Sequence, residues 1–136
     1  MTKTPLQQAT DLLAFCKQFT GPYVYGGGHG PDLSTVKTSD GLDCSSSTSR
    51  ALFHESLLGS HAAQVSGWFE TWGHPGHGRY VTVHANADHV WVEFTIPGKP
   101  WQRFDTSPHG CGPYGPRVRA CVRPSNGFVI RHPEGL

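Results

Sequence analysis

Leu42-Asp43-Cys44-Ser45-Ser46-Ser47-Thr48-Ser49-Arg50-Ala51-Leu52 is the stretch on which the reading of this chain turns. Asp43 is a good N-cap, because its carboxylate can accept from the free N–H groups of a first helical turn. The serines that follow tolerate such a turn. Cys44, Ser47, Thr48, Ala51 and Leu52 then fall on one face at helical spacing. The spacing predicts a helix from Asp43-Cys44 to about Leu58, ended by Gly59. Its small side chains permit close approach to a sheet. The same start puts a cysteine at the positive end of a helix, where unpaired N–H groups favour thiolate over thiol. A thiolate is the nucleophile that acyl transfer needs. Cys44 is therefore the first candidate for chemistry. A buried structural cysteine is the bland alternative, but the neighbours here are Asp43 and serines rather than leucines.

Upstream, Thr4, Pro5 and Gln7 form a helix-start signature with a T-x-x-Q capping box. Leu6, Ala9, Leu12, Leu13, Cys16 and Phe19 make one apolar stripe, so a helix is expected over Pro5–Phe19, with Cys16 a small buried hydrophobe. Gly21-Pro22 breaks it. An aromatic piece, Pro22-Tyr23-Val24-Tyr25, then runs into the glycine loop 26–30. No Gly-Lys-Ser/Thr follows, which argues against a phosphate cradle. Downstream, Arg79–Ala85 and His89–Ile96 alternate as strands, and Gln102–Thr106 is a shorter one. Pro97-Gly98 makes the last two an antiparallel hairpin. Val118–Val122 and Phe128–Ile130 are candidate closing strands. Helix, helix, then strands reads as an α+β fold, with N-terminal helices packed on a small antiparallel sheet.

Composition narrows the rest. The 136 residues suit one domain, spanning 1–136. Charged residues are only 15%, and 17 glycines and 11 prolines favour short elements and many turns. The 11% aromatic content is enough to build a core. The net charge of +1, with Arg117, Arg119, Arg123 and Arg131 too sparse to track phosphates, excludes an electrostatic nucleic-acid partner. No apolar run is long enough to span a bilayer, so no membrane partner is expected. The first ten residues lack an export-signal pattern. The expected routes to an outside compartment are phage delivery, another export system, or residence in a larger protein. The chain is expected to be a monomer without metal or cofactor.

A nucleophile needs a base, and nine histidines are present. His54 reads as a helix-face residue, and His61, His74, His77, His109 and His132 sit in loops. His29, in the glycine loop, could approach the site. His84 and His89 lie on strands. His89 opens the strongest strand after the turn-like Asn86-Ala87-Asp88, and it is the favoured base because a rigid element holds a catalytic group best. Asp105 is the expected orienting partner. Register decides whether the two can meet. A two-residue Pro97-Gly98 turn sets His89 opposite Thr106 and sends Asp105 to the other face. A three- or five-residue loop, 97–99 or 96–100, puts His89 and Asp105 diagonally on one face. The pair therefore predicts an odd loop or a bulge.

Pro22-Tyr23-Val24-Tyr25-Gly26-Gly27, Leu42-Asp43-Cys44-Ser45 and Asp88-His89-Val90 together resemble the NlpC/P60 family of cell-wall cysteine peptidases. That family reads P-Y-x-W-G-G, D-C-S-G, a G-H-V strand, and a third polar residue on the next strand. The likeness covers roughly residues 5–106 and is most specific over 22–52. It implies a papain-like fold, with Cys44 as nucleophile, His89 as base and Asp105 as orienting residue. It also implies that Tyr23 lines the site and that the Cys44 N–H contributes to an oxyanion hole. Asp43, Ser45 and Trp68 join Tyr23 as expected substrate-binding residues, with loop 26–30 and Trp68–Trp72 as cleft walls. The implied substrate is a peptidoglycan stem peptide, cut at an amide bond typically between D-glutamate and the diamino acid. Four departures stand out. Tyr25 replaces Trp; Ser46 replaces Gly and is expected to narrow the pocket; the segment from Gly27 to Asp43 is long; Asp105 replaces His, Asn or Gln. The stretch from Arg79 to Arg131-His132-Pro133 resembles a subgroup found in actinobacteria and their phages.

Three other readings compete. His74-x-x-His77 with His84 and His89 could be a zinc hydrolase, although no H-E-x-x-H is present. A wall-binding module on a decayed peptidase fold is a second. The same fold used for acyl transfer, or as an amidase toxin on a non-wall substrate, is a third. Cys111 and Cys121 could pair across their Gly/Pro loop, but without an export signal free thiols are the leading expectation.

Overall fold

The computed structural model describes residues 2–136; Met1, part of the single-domain expectation, lies outside the described residues. Two helices, α1 (Pro5–Cys16) and α2 (Cys44–His54), precede six strands. The strands are β1 (His74–Pro75), β2 (Val81–Ala85), β3 (Val90–Phe94), β4 (Gln102–Asp105), β5 (Arg117–Arg119) and β6 (Val129–His132). They form one antiparallel sheet in the order β1-β6-β2-β3-β4-β5. The fold is α+β.

Both helices start as their sequences direct. Thr4 accepts from the Gln7 N–H, and the Gln7 side chain accepts from the Thr4 N–H. Asp43 and Ser46 make the same reciprocal box at α2. A cap of this kind contributes roughly 0.5–2 kcal/mol. The ends differ from expectation. α1 stops at Cys16 rather than Phe19, because the chain leaves through a turn and the Thr20 N–H bonds to the Thr38 carbonyl. Phe19 is still buried, against Phe104, whereas Leu6 is exposed and lies off the core stripe. α2 stops at His54 rather than Leu58. Ser56 takes the left-handed conformation at φ 59°, and the Leu57 N–H closes back on the Leu52 carbonyl. Gly59 only turns the chain afterwards.

The core lies between α1, α2 and one face of the sheet. Val81, Val83, Ala85, Val90, Val92, Phe94 and Phe104 meet Leu12, Leu13, Cys16, Ala51 and Leu52 there. α2 runs through the middle of this layer. Its first six residues are all buried, so the expected single apolar face is in fact buried all round at this end. The serine-rich composition makes that possible, since each small hydroxyl can bond a nearby backbone group; Ser47, for example, donates to the Asp43 carbonyl. Alternation along the strands sends Thr82, His84, Trp91, Glu93, Arg103 and Asp105 to the opposite face, and this face is largely covered too.

The segment before β2, hardest to read in the sequence, holds a 3-10 helix (Ser66–Glu70) and the two-residue strand β1, which pairs with β6. Cys111 and Cys121 form a disulfide, correcting the expectation of free thiols. Each of the four C-terminal arginines bonds to groups inside the protein. Arg117 binds the Thr20 and Gly21 carbonyls, and Arg119 those of Asp105, Cys111, Pro113 and Gly115. Arg131 binds the carbonyls of Thr71, Trp72 and Gly73, and Arg123 binds Asp105. Among the described residues no helix is long and apolar enough to cross a membrane.

Candidate functional site

Cys44 sits at the first position of α2, beside a cavity of about 600 Å³. Tyr23, His29, Asp43, Ser45, Ser66 and Asp88 are among the residues lining that cavity with it. The α2 terminus alone favours an anion by roughly 0.3–1 kcal/mol, less than one pKa unit. Burial works the other way and pushes the thiol up. The nearby His89 imidazole, the Ser66 hydroxyl at 3.4 Å and the Val90 N–H together overcome it, so the Cys44 pKa falls below the ordinary thiol value. Cys16 shows the contrast. It is fully enclosed in the core, and burial alone pushes its thiol well up.

His89 immediately precedes β3. Its Nε2–H donates to Asp105 Oδ1 at 2.9 Å, which leaves Nδ1 as the nitrogen for Cys44. Burial depresses an imidazolium, but the Asp105 and Cys44 hydrogen bonds prevail and raise the His89 pKa to about 9. The register allows the meeting. Val92 pairs with Phe104 and Glu93 with Arg103 across a seven-residue connection, 95–101. That odd loop places residues 89 and 105 on one face, longer than either loop length considered but of the required parity.

Asp105 is fully enclosed and has more partners than orientation alone requires. Oδ1 also accepts from the Ser107 N–H at 3.0 Å; Oδ2 accepts from Arg123 Nη1 at 2.9 Å and from Arg103 Nη1. Burial raises a carboxyl pKa, but the bond from His89 with those from Arg123 and Ser107 drives Asp105 down to about 2. Arg103 in turn donates to the carbonyls of Ser107, Pro108 and Cys121. The disulfide-closed loop thus braces the carboxylate that braces the imidazole. Neither arginine was anticipated. The only sequence signal is an alternating Arg103-x-Asp105 on one strand, which a solvated strand would show equally.

Asp43 has a second role beyond its cap. Its carboxylate accepts from His29 Nε2–H at 2.9 Å and from the Gly26 N–H at 3.2 Å. Ser45 Oγ bonds both His29 and Asp43. His29 therefore closes the glycine loop over the start of α2. Gly28 explains the geometry of that loop. It has φ +78°, and an added Cβ would lie 2.5 Å from Leu42 Cδ2 and 2.8 Å from Ser46. Ser46 is wholly buried beneath it and does not line the cavity, so the expected narrowing does not arise.

The aromatic wall lies elsewhere than expected. Trp68 packs edge-on against Phe69, and Trp72 is in the core with its indole N–H donating to the Leu58 carbonyl. Neither lines the cavity around Cys44. Val65, Ser66 and the exposed Tyr25 stand there, opposite Ala87 and Asp88. The His74, His77, His84 and His89 group is dispersed. His74 lies against His132, His84 stacks on Trp91, and His89 is on Asp105. Among the described residues no three His, Cys, Asp or Glu side chains are placed to hold a metal ion. Comparison with family models, with curated proteins and with solved structures gives no match.

Proposed function

We propose that this chain is a papain-like cysteine amidase of the NlpC/P60 type that hydrolyses an amide bond in peptidoglycan stem peptides. The observation that carries the reading is the hydrogen-bonded Asp105–His89 pair set beside Cys44 at a helix N-terminus, next to a cavity. The opposed shifts, cysteine down and histidine up, favour a thiolate–imidazolium pair. In this reading the thiolate attacks the amide carbonyl carbon. The N–H of Cys44 faces the developing oxyanion. Imidazolium then protonates the leaving amine as the C–N bond breaks. Neutral His89 next takes a proton from water, whose oxygen attacks the thioester. The acid is released and the thiolate–imidazolium pair restored. Asp105 stays ionised throughout and holds the ring in register. The substrate class rests on the sequence motifs around Tyr23, Cys44 and His89.

The test is digestion of purified peptidoglycan, of both diaminopimelate and lysine types, read by mass spectrometry beside Cys44→Ala. New stem-peptide fragments from the native chain alone, with masses naming the bond, are expected. Absence of fragments from a folded chain whose Cys44 still alkylates ahead of Cys16 would reject the wall substrate. It would favour the same chemistry on another amide.

A further inference from the structure

The sheet face turned away from α1 and α2 holds a second cavity, of about 240 Å³, lined in part by His84, Trp91, Glu93, Trp101 and Arg123. Three buried polar atoms on these residues lack a hydrogen-bond partner: His84 Nδ1, Trp91 Nε1 and Arg123 Nε. Among the described residues no other buried side-chain nitrogen or oxygen is left so. The three side chains are contiguous. The His84 ring stacks on Trp91 at 3.9 Å, and the Arg123 guanidinium lies 5.4 Å from the Trp91 ring. His84 is 2% exposed and Trp91 1%. Unpartnered buried polar groups are costly and rare, so three in one place point to a missing partner.

The surroundings cannot supply it. Glu93 accepts from His84 Nε2–H at 2.8 Å and from Trp101 Nε1–H at 2.7 Å, and neither of its oxygens reaches the three atoms. Asp105 already accepts from Arg123 Nη1. The indole and guanidinium nitrogens can only donate, while His84 Nδ1 accepts when the ring is neutral and donates when it is charged. What is missing offers adjacent acceptors, carries charge opposite to a guanidinium, and has few heavy atoms. A carboxylate has these properties. A phosphate brings more oxygens than there are donors, beside the Glu93 carboxylate.

We infer that this cavity binds a small carboxylate between Trp91 and Arg123. The three atoms are closed off from solvent, so entry requires a shift of the irregular segment 120–128, whose Val122 is 75% exposed. Arg123 would then be held from both sides, by Asp105 through Nη1 and by the ligand through Nε. The inference does not depend on Cys44 being reactive.

The test is titration of the full chain with sodium acetate, against sodium chloride at matched ionic strength, followed by the indole ¹H–¹⁵N resonances. The Trp91 signal is assigned with Trp91→Phe, or by its proximity to Phe128 if that variant does not fold. A saturable Trp91 shift with acetate alone is expected, with Tm rising about 5 °C at tenfold excess over Kd. Folded Trp91→Phe should lose most of that rise. No saturable shift, or an equal one with chloride, would overturn the inference. So would a high-resolution structure with an ordered water bonding these atoms that acetate does not displace.

Discussion

Around Cys44 the holding groups are few and lie at the edge of an open cavity: N–H groups of a helix start, the Ser66 hydroxyl and, on one side, the His89 imidazole. Around Asp105, on the far side of His89, they are charged and enclosed: two guanidiniums, one tied in turn to the Cys121 carbonyl of a disulfide-closed loop. The proposed nucleophile stands in a setting open to a ligand. The carboxylate stands in one closed to solvent. Mobility is thus tolerated where bonds would be made, and refused where a ring must be kept in one orientation.

Cys44→Ala should sharpen the contrast most. It removes a side chain whose partners are replaceable, so turnover should fall by roughly 10⁴-fold or more with little change in Tm. Thermal melts alongside the digest check both halves. Asp105→Asn should damage both properties. Turnover should drop about 10²–10⁴-fold, and stability should fall by about 3–5 kcal/mol, because two buried guanidiniums lose their carboxylate. An Asp105→Asn chain as stable as the native one in urea would break the comparison. Replacing Cys111 and Cys121 together by serine should cost about 2–3 kcal/mol, as expected for a short closed loop. It should also lower turnover by a smaller factor than Asp105→Asn, through loosened arginines. Trp68→Ala should lower Tm but leave KM unchanged, since the indole packs on Phe69 outside the cavity. A raised KM would return Trp68 to the cleft wall.

The charged end also fixes the response to pH. Turnover needs Cys44 ionised and His89 protonated, so it should rise through the lowered cysteine pKa and fall above about 9. The stability link has a definite sign. Asp105 is depressed from 3.8 to about 2, so its contribution is complete above 3.8 and lost as pH falls through 2. His89 is raised from 6.5 to about 9, so its share is complete below 6.5 and lost as pH rises through 9. The pair therefore stabilises most between about 4 and 6.5. A plot of unfolding midpoint against pH reads this directly, and Asp105→Asn should flatten it.

Legibility in the sequence follows the same division. The helix starts were readable because caps act over three residues, as at Thr4–Gln7 and Asp43–Ser46. The sheet was readable by alternation, and the odd β3–β4 connection by asking what His89 and Asp105 would need. The end of α2 was misread because Ser56 rather than Gly59 takes the left-handed turn. Trp68 and Trp72 looked like cleft walls because aromatic residues serve both cores and sites. The grip of Arg103 and Arg123 on Asp105, and of His29 on Asp43, depends on tertiary placement that no local pattern records.

β6, the last strand in the chain, lies between β1 and β2, whereas β2 to β5 follow one another as a meander. During synthesis the meander can pair as it emerges, bringing His89 and Asp105 together early. One edge of β2 meanwhile stays bare until residues 129–132 arrive. An unpaired edge is where chains add to one another. The interval before residues 129–132 dock on β2 is therefore the one in which copies are most prone to aggregate.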